Sequence, residues 1–148
     1  RIKNLVGSLE LGHVDLSRVG FIRSRGSSAR RTIARCHGMS KILQLGMKTK
    51  AFYVIEVISE QFDRMNEEEQ TKTLIHELMH IPKNFGGGFR HHDFVNKRNI
   101  DKMYKIYREK ARSNIKETDI VNESADKSEL NAVNNFPIKR KSKMFRFF

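Results

Sequence analysis

Five residues, His76-Glu77-Leu78-Met79-His80, constrain what this chain can fold into more than anything else in it. On an α-helix, positions i and i+4 lie one above the other, so both imidazoles can aim at one ion. Glu77 directly follows the first of them, where a carboxylate can take a proton from a water polarised by that ion. The pattern works only on a helix, and the flanks supply one. Asn66 followed by Glu67-Glu68-Glu69 reads as an N-cap with Glu at N3, its three carboxylates complementing the positive end of the helix dipole. Leu74, Ile75, Leu78, Met79 and Ile81 give the segment apolar faces on both sides of the histidines, and Pro82 stops it. The chemistry this points to is a zinc hydrolase, with His76 and His80 as metal ligands and Glu77 as the catalytic base.

A tetrahedral catalytic zinc takes a third protein ligand and keeps one position open for water. A metzincin would carry histidine six residues after His80; Gly86 stands there, which excludes that subclass. The remaining candidates follow the Gly86-Gly87-Gly88 turn, at His91 and His92, and three glycines let the chain reverse toward the metal. Glu109 is the carboxylate alternative, and histidine is preferred as the better zinc ligand. Spacing alone does not decide between the two neighbours. Nor does it choose an oxyanion stabiliser among Arg90, Tyr104 and Tyr107.

The run YVIEVISEQFDRMNEEEQTKTLIHELMH, from Tyr53 to His80, reads as strand, acidic connection, helix. It resembles the core of the SprT-like metallopeptidases, the Spartan-type group. HIPKNFGGGFRHHDFVN is similar to small metallopeptidases of archaea and phages related to that group. In those the resemblance implies a ligand in an Arg-x-His setting, which Arg90-His91-His92 matches, so His92 becomes the expected third ligand. The resemblance covers about residues 1–110, and only the HExxH helix in it is specific.

A length of 148 residues suits one domain with a linker and tail. The expected class is α+β, a small zincin-like domain over 1–113: an N-terminal helix, a three-stranded antiparallel-type sheet, the HExxH helix and a following ligand-bearing helix. Ile2, Leu5, Val6 and Leu9 recur at helical spacing, with Gly12 ending that helix. Strand content lies at 14–25, 29–39 and 52–59, with Gly26-Ser27-Ser28 as the turn of a hairpin. A long helix is expected over about 93–113 and a flexible polar linker over 114–140. No apolar run long enough to span a membrane is present, and a lone Cys36 excludes a disulfide framework; it reads as a structural thiol. The setting expected is cytoplasmic, near the nucleoid.

The net charge of +12 is unevenly spread. Residues 1–50 hold eleven Lys and Arg against two acidic residues, while 51–80 hold two against seven. Arg18, Arg23, Arg25, Arg30, Arg31 and Arg35 cluster around the expected hairpin, a footprint for sequence-independent DNA binding. At the C-terminus, Lys141 to Phe148 places Met144 at a fourth position and Phe147 and Phe148 at the seventh and eighth. That resembles the peptide by which replication and repair proteins bind the DNA sliding clamp, with Lys141 where Gln is usual. A membrane-surface anchor and a tail folded onto its own domain stay open beside it. The resemblance to Spartan-type enzymes implies a zinc endopeptidase acting on DNA-associated proteins, in crosslink repair. Two alternatives remain: a DNA- and clamp-binding adaptor with structural zinc, and a phage or toxin-system metallopeptidase whose target needs no DNA.

Overall fold

Local sequence sets each element of the computed structural model, which describes residues 1–27 and 32–113. Helix α1 (Ile2–Ser8) buries Leu5 and Val6, and the Arg1 side chain ties its start to the distant HExxH helix, donating to Gln70 Oε1 at 2.9 Å and Thr71 Oγ1 at 2.6 Å. A 3₁₀ turn (Leu16–Arg18), capped by Asp15, leads into strand β1 (Val19–Ser24). Strand β2 (Ala34–Gly38), the short helix α2 (Lys41–Gly46) and strand β3 (Tyr53–Ile58) follow. Then come a single turn α3 (Ser59–Phe62), the HExxH helix α4 (Glu67–Met79), and helix α5 from 97 to 113, the last described residue of this segment.

The sheet corrects the hairpin expectation. Its order is β1-β3-β2: β1 runs parallel to β3, with Val19 opposite Tyr53, and β2 runs antiparallel to it, with Cys36 opposite Ile55. The sheet is therefore mixed, and β1 and β2 never pair with one another. The cause is the apolar content of β3, whose Tyr53, Ile55, Val57 and Ile58 are all buried, whereas β1 and β2 carry arginines. The strand that can lose water on both edges takes the centre, and the charged strands take the rims. The expected turn at Gly26-Ser27-Ser28 falls partly outside the described residues, as do Arg30 and Arg31.

Helix α4 is set as its sequence dictates. Asn66 Oδ1 accepts from the Glu69 N–H at 2.9 Å while Glu69 Oε2 accepts from the Asn66 N–H at 3.0 Å, a complete capping box. Thr71, Leu74, Ile75 and Leu78, at helical spacing, are buried against the sheet together with α1. Helix α2, unexpected from the sequence, inverts that rule: Ile42, Leu43 and Leu45 are exposed and its buried residue is Gln44. Gln44 Nε2 donates to the carbonyls of Met39 at 2.8 Å and Gly86 at 2.9 Å, so the helix serves as a polar brace for the glycine turn.

Candidate metal centre

Helix α4 presents His76 and His80 one turn apart, and the segment after the glycine turn brings His92 over them. One ligand nitrogen from each of the three lies within 4.8 Å of the others, with ring centroids 4.8 to 5.5 Å apart. His91 does not join the group; it lies on the rim of the adjoining cavity. Among the described residues no fourth His, Cys, Asp or Glu completes the set.

Each ring is prepared for this by its surroundings. His80 Nδ1 lies 2.7 Å from the Arg90 carbonyl oxygen. A carbonyl can only accept, so Nδ1 carries the proton, and in the neutral ring Nε2 turns a lone pair toward His76. The Nε2 atoms of His76 and His80 stand 3.1 Å apart. Two nitrogens on one tetrahedral zinc would stand about 3.3 Å apart, so this pair is spaced for such an ion, with a His92 nitrogen within 4.8 Å of both. Burial, then the neighbouring His80 and His92 rings, hold the His76 pKa down to about 4, which keeps it neutral and able to ligate at physiological pH.

Glu77 is buried, at 7% exposure, and burial pushes its carboxyl up to about 7. The backbone N–H of Cys36 donates to it and works in the opposite sense. That N–H is available because β2 is an edge strand. Ile58 N–H donates to Ile33, and Met39 N–H to Phe52 O, so the odd-numbered residues of β2 bond to β3 and the even-numbered ones turn outward. The Cys36 thiol, raised to about 12 first by burial and then by the Glu77 charge, stays protonated.

The glycine turn that delivers His92 is held from three sides. Tyr53 Oη accepts from Gly87 N–H and donates to the Gly88 carbonyl, both at 2.8 Å. Gln44 holds the Gly86 carbonyl, and Arg90 N–H donates to the His80 carbonyl at 2.8 Å. Gly87 must be glycine here: its φ is +94°, and a Cβ would stand 2.2 Å from the Met39 carbonyl oxygen. Tyr53 and Gln44 were not readable as parts of this site. Tyr53 looked like any apolar strand residue, and nothing in the sequence marked Gln44.

Two cavities, of about 830 and 470 Å³, meet at the cluster. Ala34, His76, Glu77 and His92 line both. Of the three oxyanion candidates, Arg90 lines the smaller cavity, while Tyr104 and Tyr107 pack against the core.

Among the described residues, the segments that carry Arg18, Arg23, Arg25 and Arg35 form no hairpin, because β3 lies between β1 and β2. Arg18 pairs with Asp15 at 2.8 Å and lies 4.5 Å over the Phe85 ring. Arg23 pairs with Asp63, and Arg25 lies close enough to Glu60 to stabilise its charge. Arg35 stands 3.9 Å from Glu56, its cross-strand neighbour on β3. Arg30, Arg31 and the tail residues Met144, Phe147 and Phe148 lie outside the described residues. Among the described residues, no helix is long and apolar enough to cross a membrane.

Residues 1–119 match the family described as Putative phage metallopeptidase, and the chain belongs to that family. No curated protein and no solved structure matches it. The match supports a metallopeptidase of phage type and does not extend to the SprT-like group in particular.

Proposed function

We propose that this member of a phage metallopeptidase family is a zinc-dependent endopeptidase, with His76, His80 and His92 holding the metal and Glu77 as general base. The observation that carries this reading is the junction itself: three imidazoles converge beside a buried carboxylate where two cavities meet. Bound zinc would supply Lewis acidity toward water and the peptide carbonyl. The chain's own residues do the rest. Glu77, its proton affinity raised by burial into the physiological range, accepts the proton of the attacking water and returns it to the departing amine. The outward-facing backbone of β2, apart from the Cys36 N–H that Glu77 takes, offers an extended substrate an edge to pair with alongside the cluster. A three-residue donor set leaves a coordination position for chemistry, which favours catalysis over an adaptor with structural zinc.

The target is best read as a protein cleaved without DNA. The DNA-crosslink and clamp-tethering reading now rests on net charge and on residues outside the described segments, because the described arginines of the expected patch have acidic neighbours.

The test is cleavage of an unfolded protein by the zinc-loaded full chain, with and without single- and double-stranded DNA, beside Glu77→Gln and a chelator control. Cleavage lost in Glu77→Gln, which still holds one zinc per chain, is the expected result. Cleavage stimulated by DNA would restore the DNA-associated substrate. Proteolysis by Glu77→Gln, or none by the loaded protein, would overturn the peptidase mechanism.

A further inference from the structure

We infer that the two cavities select different side chains on the two sides of the bond cut: the larger takes an aliphatic residue and the smaller an acidic one, with Arg90 as the selecting cation. This rests on the peptidase reading, since Ala34, His76, Glu77 and His92, common to both cavities, mark where the bond must lie.

The larger cavity carries an apolar stretch of wall. Ile33, Ala34, Met65, Val95 and Ile100 line it, and Val95 is fully buried. Its charged groups lie on elements that already balance one another. Lys72 Nζ lies 2.7 Å from Asp101 and 2.8 Å from Glu68, Lys97 lies near enough to Asp101 to stabilise its charge, and Glu69 is held in the capping box. A charged substrate side chain would lose water there without gaining a free counter-charge, whereas an aliphatic one gains by burial.

The smaller cavity is different in kind. Arg35, His37, Arg90 and His91 line it, and its single acidic residue is Glu77, which the chemistry uses. Arg35 and His37 share Glu56, at 3.9 and 2.8 Å. Among the described residues Arg90 has no carboxylate within ion-pair distance; its guanidinium rests 3.2 Å over the Phe94 ring, which orients it without neutralising it. A planar, permanently charged group held on an aromatic face beside the bond is suited to a carboxylate.

The experiment maps every bond cut by the zinc-loaded full chain in a mixture of denatured proteins, by mass spectrometry. It then compares matched peptides bearing Asp, Gln or Lys on one side and Leu, Ala or Asp on the other. The expected result is aliphatic residues enriched on one side and Asp or Glu on the other, each favoured roughly tenfold or more in kcat/KM. Arg90→Glu should reverse the Asp-to-Lys preference and leave the Leu preference intact. Ile100→Asp should reduce the Leu preference and leave the Asp preference intact. Cuts with no such enrichment overturn the inference while the peptidase reading stands. An Arg90→Glu effect equal on every peptide also overturns it, and assigns Arg90 to the reacting carbonyl instead. Cleavage of no peptide at all removes both readings.

Discussion

His80 and Arg90 hold each other twice: the Arg90 N–H donates to the His80 carbonyl at 2.8 Å, and the His80 ring donates through Nδ1 to the Arg90 carbonyl at 2.7 Å. One bond joins backbone to backbone, and the other aims a metal-facing side chain. The residue that orients the second histidine thus stands two positions before the third, so His80 and His92 share one support. Outer-sphere partners of this kind typically change metal affinity 10- to 100-fold when removed.

That coupling makes the glycine turn a metal-affinity element. Gly87→Ala would force a Cβ against the Met39 carbonyl, and we expect zinc affinity to fall roughly 10- to 100-fold with a lowered Tm. Gly88 is the control, because a Cβ there meets nothing within 4 Å, and Gly88→Ala should bind zinc as the parent does. Competition with a chromophoric chelator reads both. Equal affinities for the two variants would show that the turn does not support the site.

The two neighbouring histidines should separate sharply. His92 stands with His76 and His80, and His91 does not. His92→Ala is expected to weaken zinc binding by about 100-fold or more, and His91→Ala by no more than a few-fold, by the same competition. A larger loss in His91→Ala would exchange their roles.

What was legible in the sequence was what is encoded locally. The HExxH helix, its Asn66 cap and its stop at Pro82 all rest on contacts within four residues, and sequence spacing reports such contacts directly. The strand segments were readable for the same reason, but their order was not. Whether β1 pairs with β2 or β3 depends on which strand can be dehydrated on both edges, a comparison across 40 residues that the Gly26-Ser27 turn signal obscured. The setting of the arginines is non-local in the same way. Asp63, Glu56 and Glu60, which attend Arg23, Arg35 and Arg25, lie 21 to 40 residues away, so a charge count over one stretch of chain leaves out the acidic groups that stand beside them.

The cap of α4 should have a modest and separable value. Asn66→Ala removes the acceptor for the Glu69 N–H and leaves the Asn66 backbone bond to the Glu69 carboxylate. The expected loss is about 1 kcal/mol of stability, read by urea unfolding, with zinc affinity unchanged because the histidines lie at the other end of the helix. A loss of zinc as well would mean that the helix frays through to His76.

The pH dependence of the zinc-stripped protein follows from two opposed groups. Glu77, raised from 4.5 to about 7, holds its proton more tightly when folded; the stability this contributes is complete below pH 4.5 and lost as pH rises through 7. His76, lowered from 6.5 to about 4, acts in the other sense: its contribution is present above pH 6.5 and lost as pH falls through 4. Between about pH 4.5 and 6.5 the folded pair carries one proton, on Glu77, and the unfolded pair carries one, on His76, so their slopes cancel. Glu77→Gln removes one side of that balance. Relative to the parent, the variant should gain stability steadily from pH 4.5 to 7, by at most about 3 kcal/mol, because it no longer buries a carboxylate. Urea unfolding of both proteins in chelator at pH 5, 6, 7 and 8 measures the difference. A gap that does not widen with pH would mean that Glu77 titrates as an ordinary carboxylate, and its assignment as a base tuned by burial would fall with it.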